Sequence, residues 1–68
     1  MRAEGKFLVY CLEIYRREKG LTGKQVYQLF RQHGVTEYVM FCYDSLHTTG
    51  SQYTVEDIDE FIKARQSA

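Results

Sequence analysis

Cys42 and His47 are the nearest approach in this 68-residue sequence to a nucleophile with its base. A thiol needs an imidazole within hydrogen-bond reach, and five residues along one helix turn the two side chains about 140° apart, which argues against contact. Asp44 and His47 are three apart and can meet, the carboxylate orienting the ring, but no activated nucleophile stands beside them. Thr48 and Thr49 are poor nucleophiles without a dedicated activator. Cys11, His33, Cys42 and His47 are the soft ligands, and none forms the close pair that zinc sites use. A catalytic centre asks for three groups in mutual geometry, and the sequence offers one pair. The expectation is a non-enzymatic chain with no catalytic residue, no metal site and no cofactor.

Binding chemistry offers more. Arg16, Arg17, Lys19 and Lys24 cluster where they could contact phosphates. Two helices joined at Gly34 have the spacing of a helix-turn-helix with glycine in the turn. Yet the helix that would enter a major groove begins Glu37-Tyr38-Val39-Met40-Phe41 and has no Arg, Lys, Asn or Gln to read base edges. Phe30 also occupies a position where that motif needs a small residue. A nucleic-acid-binding regulator with a degenerate helix-turn-helix is therefore the alternative, not the first reading. The segment Ser45-Leu46-His47-Thr48-Thr49-Gly50 is an uncharged run of hydrogen-bonding groups. It reads as a turn with Gly50 at positive φ or as a recognition loop. Six tyrosines suit an interface, since each joins apolar area to a polar tip.

The elements that position these groups are helices. Three times a hydrophobic residue, a threonine, three further residues and a second hydrophobic residue follow one another: Leu21-Thr22…Val26, Val35-Thr36…Met40 and Tyr53-Thr54…Ile58. Each predicts a helix start, the hydroxyl accepting from an orphaned backbone N–H while the apolar pair clamps the entering chain. Gln25 and Asp57 stand where a reciprocal capping box places its acceptor, and Val39 leaves the middle start without one.

Periodicity then fixes four helices. The first runs from about Glu4 to Lys19, its wide apolar arc of Phe7, Leu8, Cys11, Leu12, Ile14 and Tyr15 requiring more than one neighbour, and Gly20 ends it. The second, about Gly23 to His33, has a narrower stripe of Val26, Leu29, Phe30 and His33, closed by Gly34. The third, about Glu37 to Leu46 or His47, is apolar around nearly its whole circumference, which implies a central helix or a second interface. A polar loop, or a short hairpin if the threonines pair, leads to the fourth, about Val55 to Arg65. The fold class is all-α: a small four-helix domain with a central apolar third helix, occupying residues 1–68 as a single domain.

Composition agrees with a folded domain: 44% hydrophobic, 15% aromatic and no proline. No apolar run approaches the roughly 20 residues that span a bilayer, so no membrane contact and a cytoplasmic location are expected. Cys11 and Cys42 fall in apolar helical stretches and read as reduced core residues. The net charge of zero conceals an asymmetry: seven basic groups against three acidic in residues 1–34, a net +4, and two against six in residues 35–68, a net −4. The halves either attract each other within the fold or give the molecule a basic and an acidic face.

Phe7-Leu8-Val9-Tyr10-Cys11…Glu13…Tyr15, Leu21-Thr22-Gly23-Lys24…Val26…Leu29-Phe30, Leu46-His47-Thr48-Thr49-Gly50 and Val55-Glu56-Asp57-Ile58-Asp59…Phe61-Ile62 resemble a family of small bacterial proteins catalogued as domain of unknown function 3791. The resemblance runs from about Gly5 to Arg65 and brings no activity, cofactor or catalytic residue. It implies a bacterial protein, and similar proteins encoded beside another small family would imply a two-gene module of a toxin and its neutraliser. Residues and resemblance together lead to a protein-interaction module, antitoxin-like or regulatory, with another protein as partner and self-association through the third helix as a further option. Tyr38, Phe41 and Tyr43 are the expected anchors, His47, Thr48 and Thr49 the hydrogen-bonding groups, and Asp59 and Glu60 the steering charges.

Overall fold

Residues at helical spacing bury themselves on one another from every element of the chain. The computed structural model describes residues 2–67, which form α1 (Ala3–Lys19), α2 (Gly23–His33), α3 (Val35–Phe41), α4 (Tyr43–Leu46) and α5 (Ser51–Ser67). The core takes Phe7, Cys11 and Tyr15 from α1, Val26 and Phe30 from α2, Val35 and Val39 from α3, Leu46 from α4, and Val55, Ile58 and Ile62 from α5. Successive core positions in each helix lie three or four apart, the spacing that keeps side chains on one face. α1 packs against α2, α3 and α5, as its wide apolar arc requires. α3 likewise touches α1, α2 and α5.

Thr22 caps α2 with a reciprocal capping box: its hydroxyl accepts from the Gln25 N–H at 3.1 Å, and the Gln25 carboxamide oxygen accepts from the Thr22 N–H at 2.9 Å. The other two threonines are not caps. Gly34, at φ 71°, ends α2 and turns the chain directly into α3, so the helix starts at Val35 and Thr36 already lies inside it. α5 starts a turn earlier than the threonine signal places it, at Ser51, which puts Thr54 inside the first turn and wholly buried. There its hydroxyl reaches the Gly50 carbonyl (3.1 Å) and the Thr49 hydroxyl (2.9 Å), while Thr49 donates to the Leu46 carbonyl at 2.7 Å. Two hydroxyl protons serve three contacts: Thr49 donates to Leu46, and the Thr54 proton is shared between the Gly50 carbonyl and the Thr49 hydroxyl. These threonines join the end of α4 to the start of α5. Thr22→Ala should cost about 1 kcal/mol in a urea melt, whereas Thr36→Ala, which breaks no cap, should fall within about 0.5 kcal/mol of the parent.

The long third helix divides at Cys42, whose backbone leaves the helical region (φ −94°, ψ 18°). Its carbonyl accepts from both Ser45 and Leu46, which restarts the ladder as α4. The break lets the Tyr43 ring meet Phe7 of α1 edge-on, with centroids 5.6 Å apart, while Leu46 enters the core. No strand occurs among the described residues, and the polar segment is a short turn at 47–50, the loop and not the hairpin. Gly50 is not at positive φ; among the described residues that conformation belongs to Gly20 and Gly34, each closing a helix. Cys11 is fully buried, but Cys42 is half-buried rather than core, and both are free thiols. No helix of the described residues is long and apolar enough to cross a membrane.

Candidate functional site

Phe41, at the last turn of α3, is 90% exposed. One turn earlier on the same helix Tyr38 lies flat against Phe61 of α5, with centroids 4.0 Å apart and planes 14° from parallel, and donates its hydroxyl to Asp57 at 2.6 Å. Burial first, then that bond to a carboxylate, pushes the Tyr38 phenol up from its ordinary range and keeps it a donor. The rings and two guanidiniums enclose a shallow groove of about 630 Å³ between α2, α3 and α5, with Arg31 and Arg65 on its rim and Glu37 as the opposing charge. Arg65 lies over the Phe61 ring at 5.3 Å, and Arg31 over Tyr27 at 5.7 Å. Among the described residues no carboxylate pairs with either arginine. Gly34 also lines the groove, and a Cβ there would lie 3.3 Å from the Arg65 guanidinium, which would have to give slightly.

Tyr43 lies apart from this groove. It lines a second hollow, of about 380 Å³, with Phe7, Tyr10, His47 and Lys6. His47 stacks on the Tyr43 ring at 4.2 Å, and its Nδ1 lies 2.7 Å from the Tyr43 carbonyl. A carbonyl can only accept, so Nδ1 carries a proton and donates it to this bond. That bond occupies the imidazole with backbone rather than with Cys42. Thr48 is exposed, and Thr49 is half-buried and occupied with Leu46 and Thr54. The eight expected partner-binding residues therefore do not form one patch: Tyr38 and Phe41 share the α3/α5 groove, and Tyr43 and His47 belong to the other hollow.

Asp59 is structural rather than a free steering charge. It accepts from the Tyr15 hydroxyl at 2.6 Å and pairs with Lys19 at 2.6 Å, joining α1 to α5 and the basic half of the chain to the acidic half. Burial would raise its carboxyl, but the bonds from Lys19 and Tyr15 and the nearby Lys63 together hold it below its ordinary value. A carboxylate whose folded value is depressed contributes stability above its unfolded value near 4, and that contribution is lost as pH falls through the folded value. Asp59→Asn keeps an acceptor for Tyr15 but removes the charge. It should cost roughly 1 kcal/mol at pH 7 and flatten the melting temperature against pH below about pH 4, as read by circular dichroism. Glu60, by contrast, is exposed and lines an acidic hollow with Tyr53, Glu56 and Asp57.

The candidate phosphate cluster shares two carboxylates among its four cations. Arg16 and Arg17 both bond Glu13, at 2.6 and 3.2 Å, and Lys19 is held by Asp59; Lys24 alone of the four is in no ion pair among the described residues. The bond to Arg16 draws the Glu13 carboxyl below its usual range. Burial pushes the Cys11 thiol up to about 12, so it stays protonated and inert in the core. Among the described residues no three His, Cys, Asp or Glu side chains are gathered to hold a metal ion.

Sequence reasoning missed Arg31, Phe61 and Arg65. Phe61 and Arg65 are four apart on one helix face with Asp57, which is a readable signal; that Tyr38 would stack on them is not.

A family model described as a protein of unknown function, DUF3791, matches residues 6–65. No curated protein and no solved structure matches the chain.

Proposed function

We propose that this chain, which belongs to the family described as protein of unknown function (DUF3791), is a non-enzymatic protein-interaction module that docks through the α3/α5 groove, in the manner of a regulatory or antitoxin-like partner. The observation that carries the reading is Phe41. Hydration of an almost fully exposed phenyl ring is unfavourable, and the ring contributes little to the fold while it stays in water. A neighbouring stacked pair and two arginines without carboxylate partners among the described residues supply what an interface centre and rim require: aromatic area at low conformational cost, and directional charge at the edge. Tyr38 is fixed by Asp57 before any partner arrives, which lowers the ordering cost of binding.

A photoreactive phenylalanine analogue placed at position 41 tests this in cells, with the same analogue at the exposed position 24 as control. Position 41 should form a covalent adduct with a protein chain on irradiation, and position 24 should not. Adducts at 24 with none at 41 would refute the groove as the docking surface.

A further inference from the structure

The stripe of α5 that borders the groove, with Asp57 and Phe61 half-buried against Tyr38, changes sign along its length. Tyr53, Asp57, Phe61 and Arg65 follow one another at four-residue spacing and so share a face. The end near Tyr53 is acidic, with Glu56 and Glu60 exposed beside Asp57. The end near Arg65 is basic, with Arg31 of α2 joining it and the single Glu37 leaving the cations in excess. The aromatic group of Tyr38, Phe41 and Phe61 lies between. Phe61 is midway between Asp57 and Arg65, four residues from each, about 6 Å of helix axis either way.

From this we infer that the occupant of the groove is a second copy of the chain, its α5 laid antiparallel on the first with a two-fold axis beside Phe61. The inference rests on the interaction-module reading and names its partner. Antiparallel pairing about that point brings Arg65 of each copy over Asp57 of the other, with Glu56 and Glu60 within one helical turn, so that the basic end of each copy faces the acidic end of its partner. Phe41 of each copy enters the aromatic centre and leaves water. A parallel arrangement would set like charges together and is disfavoured by the same charges.

Sedimentation of the purified chain across a concentration series decides the matter. The parent should pass from monomer to dimer as concentration rises, and Arg65→Glu and Glu60→Arg should each weaken dimerisation about tenfold or more. Mixed in equal amounts, the two variants should dimerise more strongly than either alone, because one of the two symmetric contacts keeps its native charges. If Glu60→Arg disturbs α5, as circular dichroism would show, Glu56→Gln with Glu60→Gln replaces it and should weaken dimerisation and reduce its salt dependence. A parent that stays monomeric throughout, or single variants that dimerise like the parent, overturns the inference. With the analogue at position 41, an adduct between two copies supports it. An adduct with a different chain alone overturns self-pairing but leaves the interaction module standing, and no adduct at all removes both.

Discussion

Phe30→Ala should leave most of the chain unfolded at 25 °C. Phe30 is entirely buried, at the centre of the helix interfaces, with the Tyr15 ring edge-on at 5.6 Å. Removing a buried phenyl ring costs about 3–5 kcal/mol, the transfer term plus the cavity left behind. A single core of this size supplies about 3–5 kcal/mol of net stability, so the two quantities are comparable. The site also has little freedom to collapse, because Tyr15 on one side is held by its bond to Asp59 and cannot follow the missing ring without breaking the α1–α5 tie. The helical signal in circular dichroism should fall steeply, and whatever remains should melt without cooperativity. A variant that unfolds in urea within about 1 kcal/mol of the parent would contradict the placement of Phe30 in the core.

What could be read in advance follows from the range over which each physical cause acts. The first two helices are legible almost to the residue, because Gly20, Thr22, Gln25 and Gly34 act on their own neighbours, and glycine at a left-handed position ends a helix whatever surrounds it. Thr36 and Thr54 carry the same local pattern as Thr22 and are not caps. At Thr36 the turn at Gly34 leaves no extended residue before the helix, and at Thr54 the chain gains more by burying the hydroxyl among Gly50, Thr49 and Leu46. The division at Cys42 goes with a contact between Tyr43 and Phe7 of another helix, which no window of sequence around Cys42 contains. The site follows the same rule. An aromatic third helix implies excess apolar surface, and Phe41 carries it. Which groups border it is decided by tertiary packing: Tyr43 turns away with α4 after the break, Asp59 is captured by Tyr15 and Lys19, and Arg31 and Arg65 reach the groove from two other helices.

Phe41→Ser should show the reverse of Phe30→Ala: an unchanged fold and a lost association. The ring at position 41 is 90% exposed, so folding removes little of it from water and the serine variant forfeits little burial. Its urea midpoint should correspond to a stability within about 0.5 kcal/mol of the parent, as for surface positions in general. On docking, the same ring passes from water into the aromatic centre beside Tyr38 and Phe61, and truncating a central aromatic anchor typically costs at least about 2 kcal/mol of binding, roughly thirtyfold in affinity. Stability and association thus separate at this residue, whereas at Phe30 they must fall together because an unfolded chain presents no groove. Parallel urea melts and sedimentation of the two variants make the comparison. A serine variant that associates as the parent does would show that the exposed ring is incidental, and one that loses both stability and association would show that Phe41 belongs to the fold.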